Sequence, residues 1–199
     1  MEHGVAIAAV RGNGQDRAGV FDAGDDVVIA LADGAGGNGN GATASRAVID
    51  AAAAAATATH DWCALLSELD RDPRRLGHGE STAVIVSIRG GAIAGASVGD
   101  SGAWLVRGSD VVDLTEGQCR KPLVGGGCAP FRLRSTRFTG GTLLVASDGL
   151  FNYAKPSDIV RLASGADLTV AARALVELVR LPNGALQDDV AVVLCRERG

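Results

Sequence analysis

Short runs of apolar residues alternate along this chain with turn-forming residues. The runs at 5–10 (VAIAAV) and 27–32 (VVIALA) are almost continuously apolar, which predicts strands buried on both faces. Four more strands are predicted at 82–88, 92–98, 103–107 and 110–114. The short turn signals between these four predict an antiparallel meander. Later apolar runs predict strands at 142–147 and 189–195, and a weaker one at 132–138.

Two regions of the chain have helical character. Residues 41–69 are rich in alanine and poor in helix breakers, with a break expected at 60–62. Residues 156–180 carry apolar side chains at helical spacing, which predicts two helices divided near Gly165. The segments 71–79 and 115–130 lack periodicity and are predicted to be loops. Together these elements predict an α+β sandwich of two facing sheets with helices outside, in one domain over 1–199.

Composition narrows the class of protein. The 199 residues are 47% apolar and 21% charged, which excludes dominant disorder. The net charge of −4 does not favour nucleic acid as a partner. There is no apolar run of about 18 residues and no basic N-terminal leader, so we expect a cytoplasmic protein without a membrane partner. The four cysteines are widely spaced, which predicts isolated thiols without a zinc site or a disulfide.

Aspartates recur where predicted strands end or begin. Asp33 follows VVIALA, Asp148 follows TLLVAS, Asp100 follows AIAGASVG, Asp188 precedes the last strand and Asp16 lies in the turn GNGQD. If these positions converge, each close carboxylate pair costs about 1 to 4 kcal/mol, so cations must be present. Oxygen ligands without His or Cys indicate Mg²⁺ or Mn²⁺. Two such ions are suited to the hydrolysis of phosphate monoesters.

Six motifs resemble, in order, those of the metal-dependent Ser/Thr protein phosphatases, the phosphatase 2C family. They are RGNGQD (11–16), ALADGAGGNGNGATAS (30–45), GESTAVIV (79–86), VGDSGAWLV (98–106), VASDGLF (145–151) and QDDVAVV (187–193). The resemblance spans nearly the whole chain. It implies an αββα sandwich of two antiparallel sheets flanked by helices, with two or three Mn²⁺ or Mg²⁺ ions at one edge. It also implies hydrolysis of phosphoserine and phosphothreonine by a water activated at that centre.

The resemblance also implies roles for individual residues. Asp33 would bridge two ions, and the Gly34 carbonyl would bind one of them. Asp148 and Asp188 would hold the other ion. Asp16 corresponds to an early family aspartate that binds the centre directly or through water.

Three more residues gain an expected role from the resemblance. Arg11 would clamp the substrate phosphate with its planar guanidinium. Asp100, together with Asp148, would hold a third and weaker ion. Asp189 occupies a position that is usually Asn in the family, and it is expected to support the ligands without binding metal itself.

The chain departs from the family pattern at several positions. Gly14 and Gln15 replace an Asn-Glu pair, which removes a carboxylate beside Asp16. Ala42 replaces a common glutamate, and Asn152 replaces a common acidic residue. The loop at 115–131 is short where relatives insert a flap beside the active site, so substrate selection is expected to differ there.

The sequence therefore predicts a metal-dependent phosphoprotein phosphatase, acting as a monomer, with a Ser/Thr kinase or its targets as further partners. Ser101 and Ser147 have no accompanying base in the sequence and are expected to be turn residues. Two alternatives remain open at this stage. One is a non-catalytic module of the same fold that binds phosphoproteins or a kinase, and the other is a phosphatase of small phosphate esters.

Overall fold

A computed structural model describes residues 1–10, 12, 14–36, 40–58 and 61–198. The strands are β1 (Glu2–Ala8), β2 (Arg17–Ala23), β3 (Asp26–Ala32), β4 (Gly34–Ala35), β5 (Glu80–Ser81), β6 (Ala83–Arg89), β7 (Ala92–Val98), β8 (Gly102–Arg107), β9 (Asp110–Asp113), β10 (Phe131–Arg132), β11 (Thr136–Arg137), β12 (Thr142–Ala146) and β13 (Val190–Arg196). The helices are α1 (Asn40–Ala55), α2 (Trp62–Asp70), α3 (Asp148–Phe151), α4 (Pro156–Ala163) and α5 (Leu168–Leu178).

The strands form two main antiparallel sheets. One has the order β1-β13-β12-β8-β9, and the other has the order β10-β7-β6-β3-β2 with β11 also pairing with β7. The short strands β4 and β5 pair separately.

The side chains of β3 show how the layers are built. Successive side chains of a strand point to opposite faces of its sheet. Val27, Ile29 and Leu31 join an apolar cluster with residues of β8, β12 and β13, which lies between the two sheets. Val28 and Ala30 instead join residues of α1 and α2 on the outer face. Helices α4 and α5 cover the outer face of the other sheet, so the predicted αββα sandwich is confirmed.

The predicted four-stranded meander is wrong at its centre. Strands β6 and β7 pair in one sheet and β8 and β9 pair in the other, so the chain changes sheets between Val98 and Gly102. Gly99 has a φ of +96° there, a conformation that glycine adopts without a Cβ penalty. Because local patterning does not say which sheet a strand joins, two hairpins were indistinguishable from one meander. The crossing places Asp100 between the sheets.

Other boundaries agree closely with the sequence predictions. The predicted break in the first helical region is confirmed, since α2 begins after Asp61, whose Oδ1 accepts hydrogen bonds from the N–H groups of Cys63 and Ala64. His60, which belongs to that predicted break, is outside the described residues. The division near Gly165 is confirmed by the end of α4 and the start of α5.

A few elements were not anticipated. Strand β2 (RAGVFDA) contains no long apolar run, and α3 has only 4 residues. The weak strand predicted at 132–138 is replaced by the two short strands β10 and β11. Each of them pairs with β7 over two residues. All four cysteines are free thiols, as predicted. No helix in the described part of the chain is long and apolar enough to cross a membrane.

Candidate metal centre

Strand register brings four of the predicted aspartates to one edge of the sandwich. In one sheet Arg17 pairs with Ala32, so Asp16 precedes the start of β2 where Asp33 follows the end of β3. In the other sheet Ala146 pairs with Val192, so the end of β12 lies beside the start of β13. Asp148 and Asp188 therefore meet at one edge of this sheet, close enough to Asp33 for their charges to raise its pKa.

Burial and neighbouring charges raise the pKa of three of these carboxyl groups, those of Asp16, Asp33 and Asp148. Burial, which has the largest effect, and the neighbouring charges of Asp16, Asp148 and Asp188 together raise the pKa of Asp33 to about 9. Burial also raises the pKa of Asp16 to about 6, while the nearby Ser147 hydroxyl and Asp33 carboxyl lower it and Asp189 and Asp188 raise it. A proton held at Asp33 thus takes the place of a neutralising cation at this edge.

Asp148 is held in one orientation by its own short helix. The Nδ2 of Asn152, one helical turn later, donates a hydrogen bond of 2.9 Å to Asp148 Oδ2. The Oδ1 atom is buried without a hydrogen-bond partner. Burial raises the pKa of Asp148, as do the charges of Asp100 and Asp188, while Arg120 and Asn152 lower it. Asn152 therefore orients this carboxylate.

The partnerless oxygens show that the site suits cations. Asp16 is 1% exposed, and neither of its carboxylate oxygens meets the geometry of a hydrogen bond. Buried polar atoms are normally satisfied, so such oxygens call for a ligand. Among the described residues, no three His, Cys, Asp or Glu side chains already form a ready-made ligand set. A cation at this edge would have to draw these carboxylates toward a common point.

The backbone around Asp33 is firmly positioned. The Asp33 N–H donates to Thr82 Oγ1 at 2.9 Å, and the Thr82 N–H donates to the Asp33 carbonyl at 2.8 Å. The Thr82 and Ser101 hydroxyls lie 2.8 Å apart and share a hydrogen bond. Ser147 Oγ accepts the Ala191 N–H at 2.9 Å. Ser101 and Ser147 are thus buried turn residues that join the strand ends, as predicted.

Gly34 lies where two backbones approach closely. A Cβ at Gly34 would meet the Gly41 carbonyl oxygen at 2.2 Å, so no larger residue fits against the start of α1. Gly34 is buried and pairs with Ser81. This fit explains the glycine sterically, and the proposed binding of an ion by its carbonyl stays a prediction.

The Asp189 side chain joins the turn that precedes β2, which carries Asp16, to the start of β13. This turn is called the early turn. Asp189 Oδ1 accepts the Val10 N–H at 2.8 Å, and Asp189 Oδ2 accepts the Gln15 N–H at 2.6 Å. The Gln15 side chain donates through Nε2 to the Gly36 carbonyl at 3.1 Å, and the Gln15 backbone carbonyl accepts the Ser45 hydroxyl. These contacts set the position of Asp16. Arg11 lies outside the described residues, so its predicted role is untested.

Asp100 takes a different place from the other four aspartates. It lies near enough to Asp148 to raise that residue's pKa. Its Oδ2, however, accepts two hydrogen bonds from Arg120, from Nε at 3.1 Å and from Nη2 at 2.8 Å. The candidate centre thus contains Asp16, Asp33, Asp148 and Asp188, with an Asp100–Arg120 ion pair beside it.

The short loop at 115–131 is fastened at several points. Gln118 Nε2 donates to the Ser101 carbonyl at 2.7 Å. Val124 and Ser81 exchange backbone hydrogen bonds. Asp70 Oδ1, at the end of α2, accepts the N–H groups of Gly125, Gly127 and Cys128. A cleft of about 340 Å³ lies between the first part of this loop and Asp100, with Trp104 and Phe151 among its lining residues.

Sequence reasoning missed several residues that shape this site. Thr82 lies inside a quoted motif but had no assigned role, and Asn152 was regarded only as a departure. Gln118 and Arg120 belong to a loop without periodicity, so no pattern marked them. Their common signal is position: each lies within a few residues of a strand end or in the segment that follows one.

The fold and the acidic edge together define a phosphatase 2C-like protein. The family described as Stage II sporulation protein E (SpoIIE) matches residues 23–198, and the chain belongs to this family. This membership confirms the resemblance predicted from the ordered motifs. No curated protein matches the sequence.

Solved structures of bacterial phosphatases share this fold. A bacterial serine phosphatase carrying a point mutation superposes with a TM-score of 0.83 at 22% identity, covering 100% of this chain and 99% of that one. The Streptococcus agalactiae serine/threonine phosphatase gives 0.82 at 23% identity, covering 97% and 98%. The catalytic domain of the serine/threonine protein phosphatase PstP, in complex with two manganese ions, gives 0.77 at 24% identity, covering 97% and 96%.

The raised pKa of Asp33 predicts how the free energy of unfolding depends on pH when a chelator keeps the protein free of metal. Above the ordinary Asp value of 3.8 the unfolded chain loses protons that folded Asp33 retains up to about pH 9. The free energy of unfolding should therefore fall as pH rises from about 4 to about 9, by at most about 1.4 kcal/mol per pH unit for each retained proton. Urea titrations at several pH values measure this slope.

Asp33→Asn should make that slope shallower, because the amide has no proton to lose. The matched control is Asp22→Asn, an exposed change on β2 that should leave the slope unaltered. Equal slopes for the wild type and Asp33→Asn would contradict the pKa assignment.

Removing one acceptor from Asp189 should loosen the early turn. Asp189→Asn keeps the shape of the side chain but leaves either Val10 or Gln15 without an acceptor for its N–H. We expect a loss of about 1 to 3 kcal/mol in the free energy of unfolding. Amide hydrogen exchange at Gln15 should also become faster. Asp110→Asn, exposed at the start of β9, is the control and should change stability by less than about 0.5 kcal/mol. Unchanged exchange at Gln15 would refute this role for Asp189.

Proposed function

We propose that this protein hydrolyses phosphoserine and phosphothreonine monoesters on proteins, with two Mn²⁺ or Mg²⁺ ions bound at the acidic edge and its catalytic domain spanning residues 1–199. The observation that carries the proposal is the set of buried carboxylate oxygens without hydrogen-bond partners at Asp16 and Asp148. The serine/threonine phosphatases that share the fold, including the manganese complex of PstP, support the same substrate class and metal.

Each carboxylate has a distinct part in this proposal. The charges of Asp16, Asp148 and Asp188 all raise the pKa of Asp33, so Asp33 is placed to be a ligand shared by two ions. The Gly34 carbonyl would bind one of these two ions. Asp148 and Asp188 would hold the second ion, and Asp16 would bind the centre directly or through water. Bound there, the ions would supply positive charge and Lewis acidity toward the phosphoryl group and an attacking water.

The chain's own contacts keep the ligands in position during turnover. Thr82 holds the backbone of Asp33, and Asn152 occupies one oxygen of Asp148 so that the other stays free. Asp189 fixes Val10, the residue directly before Arg11. Arg11 would bind the substrate phosphate through its fork of N–H donors. Prepositioned groups of this kind need no reorganisation when charge develops in the transition state.

The cleft beside Asp100 is the candidate site for residues that flank the phosphorylated side chain. Trp104 and Phe151 provide an apolar surface, with ring centroids 4.7 Å apart, and the loop at 115–131 closes one side. A cleft of about 340 Å³ has room for one side chain beside the phosphorylated residue.

The direct test is para-nitrophenyl phosphate hydrolysis by metal-stripped protein, with Mn²⁺ or Mg²⁺ added back. Wild-type activity should return with Mn²⁺, while Asp33→Asn and Asp148→Ala should lose at least about 100-fold, since each removes a ligand of the charge-stabilising centre. Asp22→Asn, far along β2 from the site, should keep wild-type activity.

A parallel comparison of phosphopeptides with metabolite phosphates distinguishes the substrate classes. Higher kcat/KM on phosphopeptides supports the proposal, and higher kcat/KM on small esters favours a small-molecule phosphatase. Mn²⁺ binding by the folded wild type without hydrolysis of any substrate would instead favour a binding module. Full activity in purified Asp33→Asn would overturn the assignment of the centre.

A further inference from the structure

The ion pair between Arg120 and Asp100 occupies the place where the sequence predicted a third metal ion. Two guanidinium nitrogens of Arg120 donate to one oxygen, Asp100 Oδ2, at 3.1 and 2.8 Å. Asp100 and Asp148 were the two predicted ligands of that ion. An oxygen that accepts two N–H donors has both of its lone pairs engaged. The guanidinium therefore competes with a metal for Asp100 Oδ2 and brings its own positive charge to the place where the ion would bind.

The charge of Arg120 also reaches the second predicted ligand. The Asp148 carboxylate helps to raise the pKa of Arg120, and Arg120 lowers the pKa of Asp148 in return. Asp100 acts in the opposite direction and raises the pKa of Asp148. A permanent positive charge thus faces two carboxylates that would otherwise repel each other. A divalent ion between the same carboxylates would relieve this repulsion in the same way.

The loop that carries Arg120 is built to hold it there. Gln118, two residues earlier, donates to the carbonyl of Ser101, the residue after Asp100. Val124 is paired with Ser81 on the other side of Arg120. The Arg120 side chain is 69% exposed and that of Asp100 is 26% exposed. Exposed ion pairs contribute little to folding stability, so stability does not account for this arrangement.

We propose that Arg120 supplies, from the loop at 115–131, the positive charge that a third metal ion would otherwise supply beside Asp100 and Asp148. The inference rests on the proposed metal centre and sets the number of its ions at two. Because a guanidinium remains charged at all working pH values, this part of the site does not depend on the concentration of free metal. The protein should therefore be complete with two ions.

Counting bound Mn²⁺ tests the proposal without relying on catalysis. Free Mn²⁺ is followed by electron paramagnetic resonance as metal-stripped protein is titrated. We expect two ions in the wild type and three in Arg120→Ala, because Asp100 becomes free to bind. Arg120→Lys keeps the charge and should retain two ions. The double variant Arg120→Ala/Asp100→Asn should return to two, since it lacks the new ligand.

The matched control is Arg132→Ala. Arg132 is similarly exposed, at 66%, and forms a comparable ion pair with Asp61 at the start of α2, away from the acidic edge. This variant should bind two ions. Three ions in the wild type, or two in Arg120→Ala, would overturn the role of Arg120 and leave the phosphatase proposal standing. A wild type that binds no Mn²⁺ would overturn both proposals, because the proposed hydrolysis depends on the two-ion centre.

Discussion

Four carboxyl groups at one edge of a β-sandwich repel one another, and most of the surrounding structure serves to keep them there. The strand ends that carry Asp33 and Asp148 belong to different sheets, so the repulsion acts across the junction of the sheets. Burial makes the charged forms still less favourable, which raises the pKa of Asp33 and Asp16. Without metal the folded protein relieves this repulsion by retaining a proton. With metal, positive charge would relieve it and release that proton.

Around the site, backbone groups have hydrogen-bond partners and the carboxylate oxygens of Asp16 do not. Backbone groups at the strand ends are satisfied by side chains such as Thr82, Ser147 and Asp189. The carboxylate oxygens of Asp16, by contrast, are left without partners. A firmly held backbone with free ligand oxygens suits a cation site, because only the carboxylate side chains need to turn toward an ion. The Gln15 side chain is another group that satisfies the backbone, because its Nε2 donates to the Gly36 carbonyl.

Much of this fold and site follows from local sequence patterns. The buried strands β3 and β12 were predicted from their apolar runs, α1 from its alanine-rich composition without helix breakers, and α5 from apolar side chains at helical spacing. The aspartates were predicted because each follows or precedes such a strand. Which sheet β8 joins could not be predicted, since both hairpins have the same alternation of residues. Arg120 was missed because an exposed arginine in an aperiodic loop gains its meaning only from the carboxylate that folding brings to it.

The central claim is that metal ions replace a proton held among these buried carboxylates. Isothermal titration calorimetry of Mn²⁺ binding, repeated at pH 7 in buffers with different ionisation enthalpies, measures the protons released per protein. Because the pKa of Asp33 is raised to about 9, we expect Mn²⁺ binding to release about one proton. Tight Mn²⁺ binding without proton release, or no binding by the folded wild type, would contradict the account.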